Sequence, residues 1–192
     1  MKSLSPSTPH LIVMAGLPGS GRSTFAEKFS DMFNAPLIDF DFTLPLGTDA
    51  ESVEKMINFQ LDQILKTKSS IVYDGPSYTK TDRMVLSRKA REAGYEVMFI
   101  WVQVDEATAR SRSSRQNYKP WPIDDNEFDR LKRKFTPLDV SEKPVVISGK
   151  HTYAAQVKMV LRRLSESRQP TVANERPVEA TPPRRRGPIL IR

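Results

Sequence analysis

Cysteine is absent from the 192 residues. Disulfides, thiolate metal sites and cysteine nucleophiles are therefore excluded, and the composition suits a reducing compartment. Histidine occurs twice, at His10 and His151. Neither has a companion at metal-ligand spacing, so no metal site and no histidine base is assigned. No apolar run approaches the roughly 20 residues of a membrane helix, and "MKSLSPSTPH" has no signal-peptide core. The expectation is a cytoplasmic protein with no membrane partner. The length allows one α/β domain with a real core and is short for two.

What is present is positive charge. The net charge is +7, and five arginines against two glutamates place part of it between Gln169 and Arg192. That end is also proline-rich ("PPRRRGP") and reads as a disordered basic tail over 169–192, leaving a domain over 1–168. A basic balance favours phosphate-bearing partners, nucleic acid among them.

Along the chain, strand and helix patterns alternate. Strands are expected at "LIVMA" (11–15), "APLIDFDF" (35–42), "SIVYDG" (70–75), "YEVMFIWVQV" (95–104) and "KPVVIS" (143–148). Helices are expected over 22–33, 49–68, 80–94, 105–116, 124–135 and 152–167. Phe25, Phe29 and Phe33 form a core stripe on the first of these, and Trp101 reads as packing in the longest strand. Five strands interleaved with helices predict a five-stranded parallel sheet covered on both faces.

Between the first strand and first helix stands "GLPGSGRST". It fits the phosphate-loop pattern G-x-x-x-x-G-K-[ST] except that Arg22 occupies the lysine position. Gly16, Leu17, Pro18, Gly19, Ser20, Gly21, Arg22, Ser23 and Thr24 are the expected nucleotide-binding residues. Glycines let the backbone curl so that successive N–H groups converge on phosphate oxygens, and the helix N-terminus adds positive potential. Ser23 would offer its hydroxyl to Mg²⁺. Arginine keeps the charge and can fork onto phosphate, but it is bulkier than an ammonium group. Two readings therefore stand: a working ATP site with an altered cation, or a binding module with weak catalysis.

Ligands of open α/β sheets lie beyond the carboxyl ends of the strands, and two expected strands end in acids. Asp39 and Asp41 lie two apart on one strand, and Asp74 ends the next. A phosphoryl-transfer site needs a carboxylate to take the acceptor's proton and often another near the metal. Asp41 is the expected base, Asp39 the second choice, and Asp74 takes the metal side. Arg110, Arg112 and Arg115, followed by Lys119, form either a cationic flap over the polyphosphate or a solvated helix terminus, with Arg110 the first choice. Arg83 is a candidate contact to substrate phosphate. Trp121, beside Tyr118, either stacks on a base or anchors a loop.

Together "GLPGSGRST", "LIDFDF", "IVYDGPSYTKTDR" and "VQVDEATARSRSSRQ" resemble the small P-loop kinases grouped around the polynucleotide 5′-kinase domain, over roughly residues 10 to 165. The resemblance implies a P-loop NTPase (nucleoside-kinase-like) architecture, with Asp41 as base, Arg110 to Arg115 as lid arginines and Gly16 to Thr24 as the ATP loop. It further implies ATP and Mg²⁺ as cofactors and transfer of the γ-phosphate to a hydroxyl on a nucleic acid. The acceptor would be a 5′-hydroxyl end or a hydroxymethylated pyrimidine base in DNA; a nucleotide or small metabolite is the alternative. Arg22 and the absence of asparagine after Asp74 depart from that family's pattern.

Overall fold

Every residue of the first strand is buried, as a central strand of a parallel sheet covered on both faces must be. The computed structural model describes residues 8–40, 49–115, 117–118 and 122–166. Within them β1 (His10–Ala15), β2 (Leu37–Asp39), β3 (Ile71–Asp74), β4 (Glu96–Gln103) and β5 (Val145–Ser148) form one parallel sheet in the order β2-β3-β1-β4-β5. The helices are α1 (Arg22–Phe33), α2 (Ala50–Lys66), α3 (Lys80–Glu92), α4 (Glu106–Ser113), α5 (Asp125–Lys134) and α6 (Tyr153–Glu166), with a 3-10 turn at Val140–Glu142. The elements fall where periodicity placed them, with two differences. Of the strand expected over 35–42, the described part is β-strand only at Leu37–Asp39, and the 3-10 turn carries no apolar period by which to find it. Asp41, Lys119, Trp121 and the stretch 169–192 lie outside the described residues.

Alternation along β1 divides the core. Ile12 and Met14 join the layer containing Phe25, Phe29 and Phe33 of α1 and Val157, Val160 and Leu164 of α6. Leu11, Val13 and Ala15 face Val53, Ile57 and Leu61 of α2 and Leu86 and Ala90 of α3. The rings of Phe25 and Phe29 stack with centroids 5.5 Å apart. Truncating either to alanine would cost about 3–5 kcal/mol, since both transfer energy and cavity are lost. Trp101 packs on Phe135, centroids 6.2 Å apart.

The sheet order sets where a ligand can sit. From β1 the chain crosses to β2 and β3 on one side and later to β4 and β5 on the other. The crevice at the carboxyl end of β1 is therefore the topological switch point, and "GLPGSGRST" fills it. No helix among the described residues is long and apolar enough to cross a membrane.

Candidate active site

The loop after β1 curls through left-handed glycines into α1, which begins directly after Gly21 (φ 101°). Gly19 also has positive φ, 75°, and a Cβ there would lie 2.1 Å from the carbonyl oxygen of Ala109 on α4. No other residue satisfies both constraints. Gly149, after β5, is an equally strict position: a Cβ would lie 1.9 Å from the Ser20 carbonyl oxygen. The phosphate loop is thus clasped between α4 and the loop after β5. Lys150 tightens the clasp by pairing with Asp105 at 2.5 Å. Lys150 and Thr108 together hold the Asp105 carboxyl well below the ordinary carboxylate range.

Two adjoining cavities open onto this loop. One, about 320 Å³, is lined by Gly21, Arg22, Ser23, Thr24, Arg112 and Arg115, with Tyr118 at its rim. The second, about 350 Å³, lies between Gly19, Thr24 and Arg112 on one side and Gly149, His151 and Tyr153 on the other. Arg112 spans both, donating from Nη1 to the Gly149 carbonyl at 3.1 Å. The Gly19 amide donates to the Tyr118 hydroxyl at 3.1 Å.

Arg22, while lining the cavity at the loop, also reaches β3. Its Nη1 lies 3.9 Å from Asp74 Oδ1, with both side chains buried, and its guanidinium sits 5.5 Å from the centroid of the Tyr78 ring. Lys134 approaches the same ring, 5.8 Å from the centroid. Neither oxygen of Asp74 has a hydrogen-bond partner among the described residues. A buried carboxylate left so is costly unless a cation, a metal ion or ordered water meets it. Asp39 and Asp74 are register partners on neighbouring strands, so the two carboxylates leave the sheet on one face at one level. The loop behind them is fixed, because Ser77 Oγ donates to the Met14 carbonyl at 2.7 Å.

Two expected phosphate ligands have other tasks. Arg83 is fully buried. Its Nε and Nη2 fork onto Glu142 at 2.6 and 3.1 Å, and its Nη1 donates to the carbonyls of Ser77, Tyr78 and Thr136. It ties the loop after β3 to the segment before β5. Arg110, expected foremost over the polyphosphate, pairs with Asp125 at 2.9 Å, Asp129 at 2.5 Å and Glu106 at 3.1 Å. It also stacks 4.5 Å from the Phe128 ring centroid. These three acids raise its pKa further, and the residue clamps α4 to α5. Arg112 and Arg115 are the arginines of the same cluster that line the cavity at the loop.

Sequence reasoning missed Gly149, Tyr78 and His151. Only Gly149 carried a signal, a glycine directly after a strand.

The cradle of backbone amides, the flanking arginines and the paired carboxylates at strand ends suit a nucleotide triphosphate with a divalent ion. Among the described residues no preformed cluster of acids and histidines holds a metal unaided.

A protein-family model described as an AAA domain matches residues 11–138. An L-seryl-tRNA(Sec) kinase of Methanococcus maripaludis is 30% identical over 48% of this chain and 40% of its own length. The chain thus spans about two fifths of that curated relative. Among solved structures, Kti12 of Chaetomium thermophilum in complex with ADP-AlF3 superposes with a TM-score of 0.65 at 19% identity, covering 83% of this chain and all of that one. A gluconokinase of Sinorhizobium meliloti gives a TM-score of 0.59 at 17% identity, covering 83% of this chain and 94% of that one. These two likenesses establish the fold. The chain belongs to the AAA domain family and has the architecture of its P-loop kinase neighbours.

Proposed function

We propose that the protein is an ATP- and Mg²⁺-dependent kinase that moves the γ-phosphoryl group to a hydroxyl carried on a nucleic acid. The observation that carries this reading is the glycine loop with Arg112 and Arg115 lining one cavity, which Arg22 links to Asp74 and its register partner Asp39. The loop amides and α1 hold the phosphates, while Arg112 and Arg115 neutralise charge growing on the transferring group. The cavity between Arg112 and Gly149 is the space for the base. Mg²⁺, when bound, would neutralise the β- and γ-oxygens, with Ser23 and Asp74 as its protein side.

Asp41 takes the acceptor's proton, with Asp39 as the second carboxylate of that strand. The acceptor oxygen then bonds to the γ-phosphorus as the bond to the β-phosphate oxygen breaks and ADP leaves. Support for a nucleic-acid acceptor comes from the net charge of +7 and from the matched relative, a seryl-tRNA kinase by name. Within that class, a 5′-hydroxyl end or a hydroxymethylated pyrimidine in DNA is the narrower reading.

The test is transfer from radiolabelled ATP across 5′-hydroxyl and hydroxymethyl-base oligonucleotides, an aminoacylated tRNA, nucleosides and sugars. Label in an oligonucleotide or tRNA is expected. Label confined to sugars or free nucleosides would replace the acceptor class, and label in none would remove the kinase reading.

A further inference from the structure

Another concavity lies on a different flank of the sheet. A groove of about 850 Å³ runs between one side of α3, the first half of β4 and the 3-10 turn at Val140–Glu142. The sheet itself explains why it is open. β5 pairs with β4 only from Ile100 onward, opposite Val145, so Glu96–Phe99 have no described strand beside them on that edge.

The walls are basic. Lys80, Met84, Arg88 and Arg91 all line the groove. They follow one another along α3 at steps of four, four and three, which places them on one helical stripe. Lys143 and Arg163 line the opposite wall. Of the acids there, Glu142 is committed to buried Arg83, while Glu92 and Glu96 line the groove as well. Lys80 is likewise committed, to Asp139. Arg88, Arg91 and Lys143 have no side-chain partner among the described residues, and with Arg163 they outnumber the two remaining acids, Glu92 and Glu96. Met84 is 62% exposed, so the wall between the cations is apolar.

We propose that this groove, where Arg88, Arg91 and Lys143 face one another across the open edge of β4, binds the phosphodiester backbone of the acceptor strand. The inference rests on the nucleic-acid reading of the catalytic crevice and extends it to the body of the substrate. Direction supports it: α3 begins six residues after Asp74 and leads away from the reacting end. From Lys80 to Arg91 the stripe is about 16 Å long at 1.5 Å per residue. A stacked strand rising about 3.4 Å per nucleotide would lay about five phosphates along it. Charge without base-edge recognition makes the contact independent of sequence.

The test compares wild type with the triple variant Arg88→Gln, Arg91→Gln, Lys143→Gln, all surface positions outside the catalytic crevice. Fluorescence anisotropy with a labelled 20-mer at several salt concentrations reads binding directly. Transfer assays on the 20-mer and on a dinucleotide acceptor read its use. The variant should bind the 20-mer at least ~10-fold more weakly, with a log–log salt slope shallower by about 2. Its KM for the 20-mer should rise in step, while kcat and the KM values for ATP and dinucleotide hold. Unchanged 20-mer affinity and salt slope would overturn the groove while leaving the kinase reading intact. Loss of poly-glutamate binding in the variant, with 20-mer binding unmoved, would make the groove a protein-docking surface and equally overturn it. Conversely, 20-mer binding that depends on the groove, without transfer to any nucleic acid, would sink the acceptor assignment and spare the groove as a binding site.

Discussion

Arg22 Nη1 stands 3.9 Å from Asp74 Oδ1, and both side chains are buried. The residue in the lysine position of the phosphate loop is therefore tethered to the end of β3, with Tyr78 beneath its guanidinium. The separation is too long for a good charge-assisted hydrogen bond, so the tether is electrostatic and can yield to a phosphate. Lysine would keep the charge and lose the planar contact with Tyr78. We expect Arg22→Lys to change kcat/KM by about threefold or less. Arg22→Met should lower stability by about 2 kcal/mol, because it leaves the Asp74 carboxylate buried with no cation. Adding Asp74→Asn should recover part of that loss. Denaturant melts of the single and double variants check the coupling, and strictly additive losses would show that the pair does not interact.

Arg110, Arg112 and Arg115 divide by neighbour. Arg112 and Arg115 line the cavity over Ser23 and Thr24, whereas Arg110 is saturated by Glu106, Asp125 and Asp129. Removing a preorganised cation from a transferring phosphoryl group costs about 10²–10³ in kcat. Arg112→Ala and Arg115→Ala should therefore each lower kcat/KM for ATP by about that range, and Arg110→Ala by less than about tenfold. Steady-state kinetics on the three variants decides it. A larger loss at Arg110 than at Arg115 would return Arg110 to the polyphosphate.

How much of this was legible in the sequence depended on range. The phosphate loop is a local motif, set by glycine torsions and its strand and helix neighbours, so "GLPGSGRST" announced itself. The core stripes were legible for the same reason, since Phe25, Phe29 and Phe33 repeat at one helical turn. The strand order was not, because pairing β1 with β3 and β4 is decided by contacts distant in sequence. The partners of two arginines were hidden for the same reason. Arg83 meets Glu142, 59 residues on, and Arg110 meets Asp129, 19 residues on. Without those partners both look like unpaired cations beside a phosphate loop. Gly149 was obscure because what forbids a side chain there is the Ser20 carbonyl, far upstream.

The α4–α5 clamp should register in acid. Lys132, then Arg110, hold the Glu106 carboxyl below its ordinary range, and Arg110 does the same for Asp129. A carboxylate depressed in the folded state adds stability that is present above its unfolded pKa, near 4, and lost as pH falls through the folded value. Arg110→Met should therefore lower Tm at neutral pH, and the difference from wild type should shrink below about pH 4. The carboxyls of Asp105 and Asp139, depressed chiefly by Lys150 and Lys80 respectively, keep their partners in the variant and leave its remaining acid sensitivity. Melts at several pH values test the sign. A gap that stays constant on acidification would mean that Arg110 acts through packing on Phe128 rather than through the acids.

Tyr118 competes with phosphate for the loop. The Gly19 amide, at the centre of the curl, donates to the Tyr118 hydroxyl at 3.1 Å, and that residue borders both cavities. A backbone N–H in such a position must have an acceptor. A phosphate oxygen is the stronger one because it is charged, so nucleotide binding should displace the hydroxyl, at the cost of one neutral hydrogen bond. That bond is worth about 1 kcal/mol, or about fivefold in affinity. Tyr118→Phe keeps the ring and removes the competing acceptor, so Kd for ATP should fall by about fivefold. Calorimetric titration of wild type and variant with ATP measures it. Weaker binding by Tyr118→Phe would mean that the hydroxyl serves the bound nucleotide instead, joining Arg112 and Gly149 around the base.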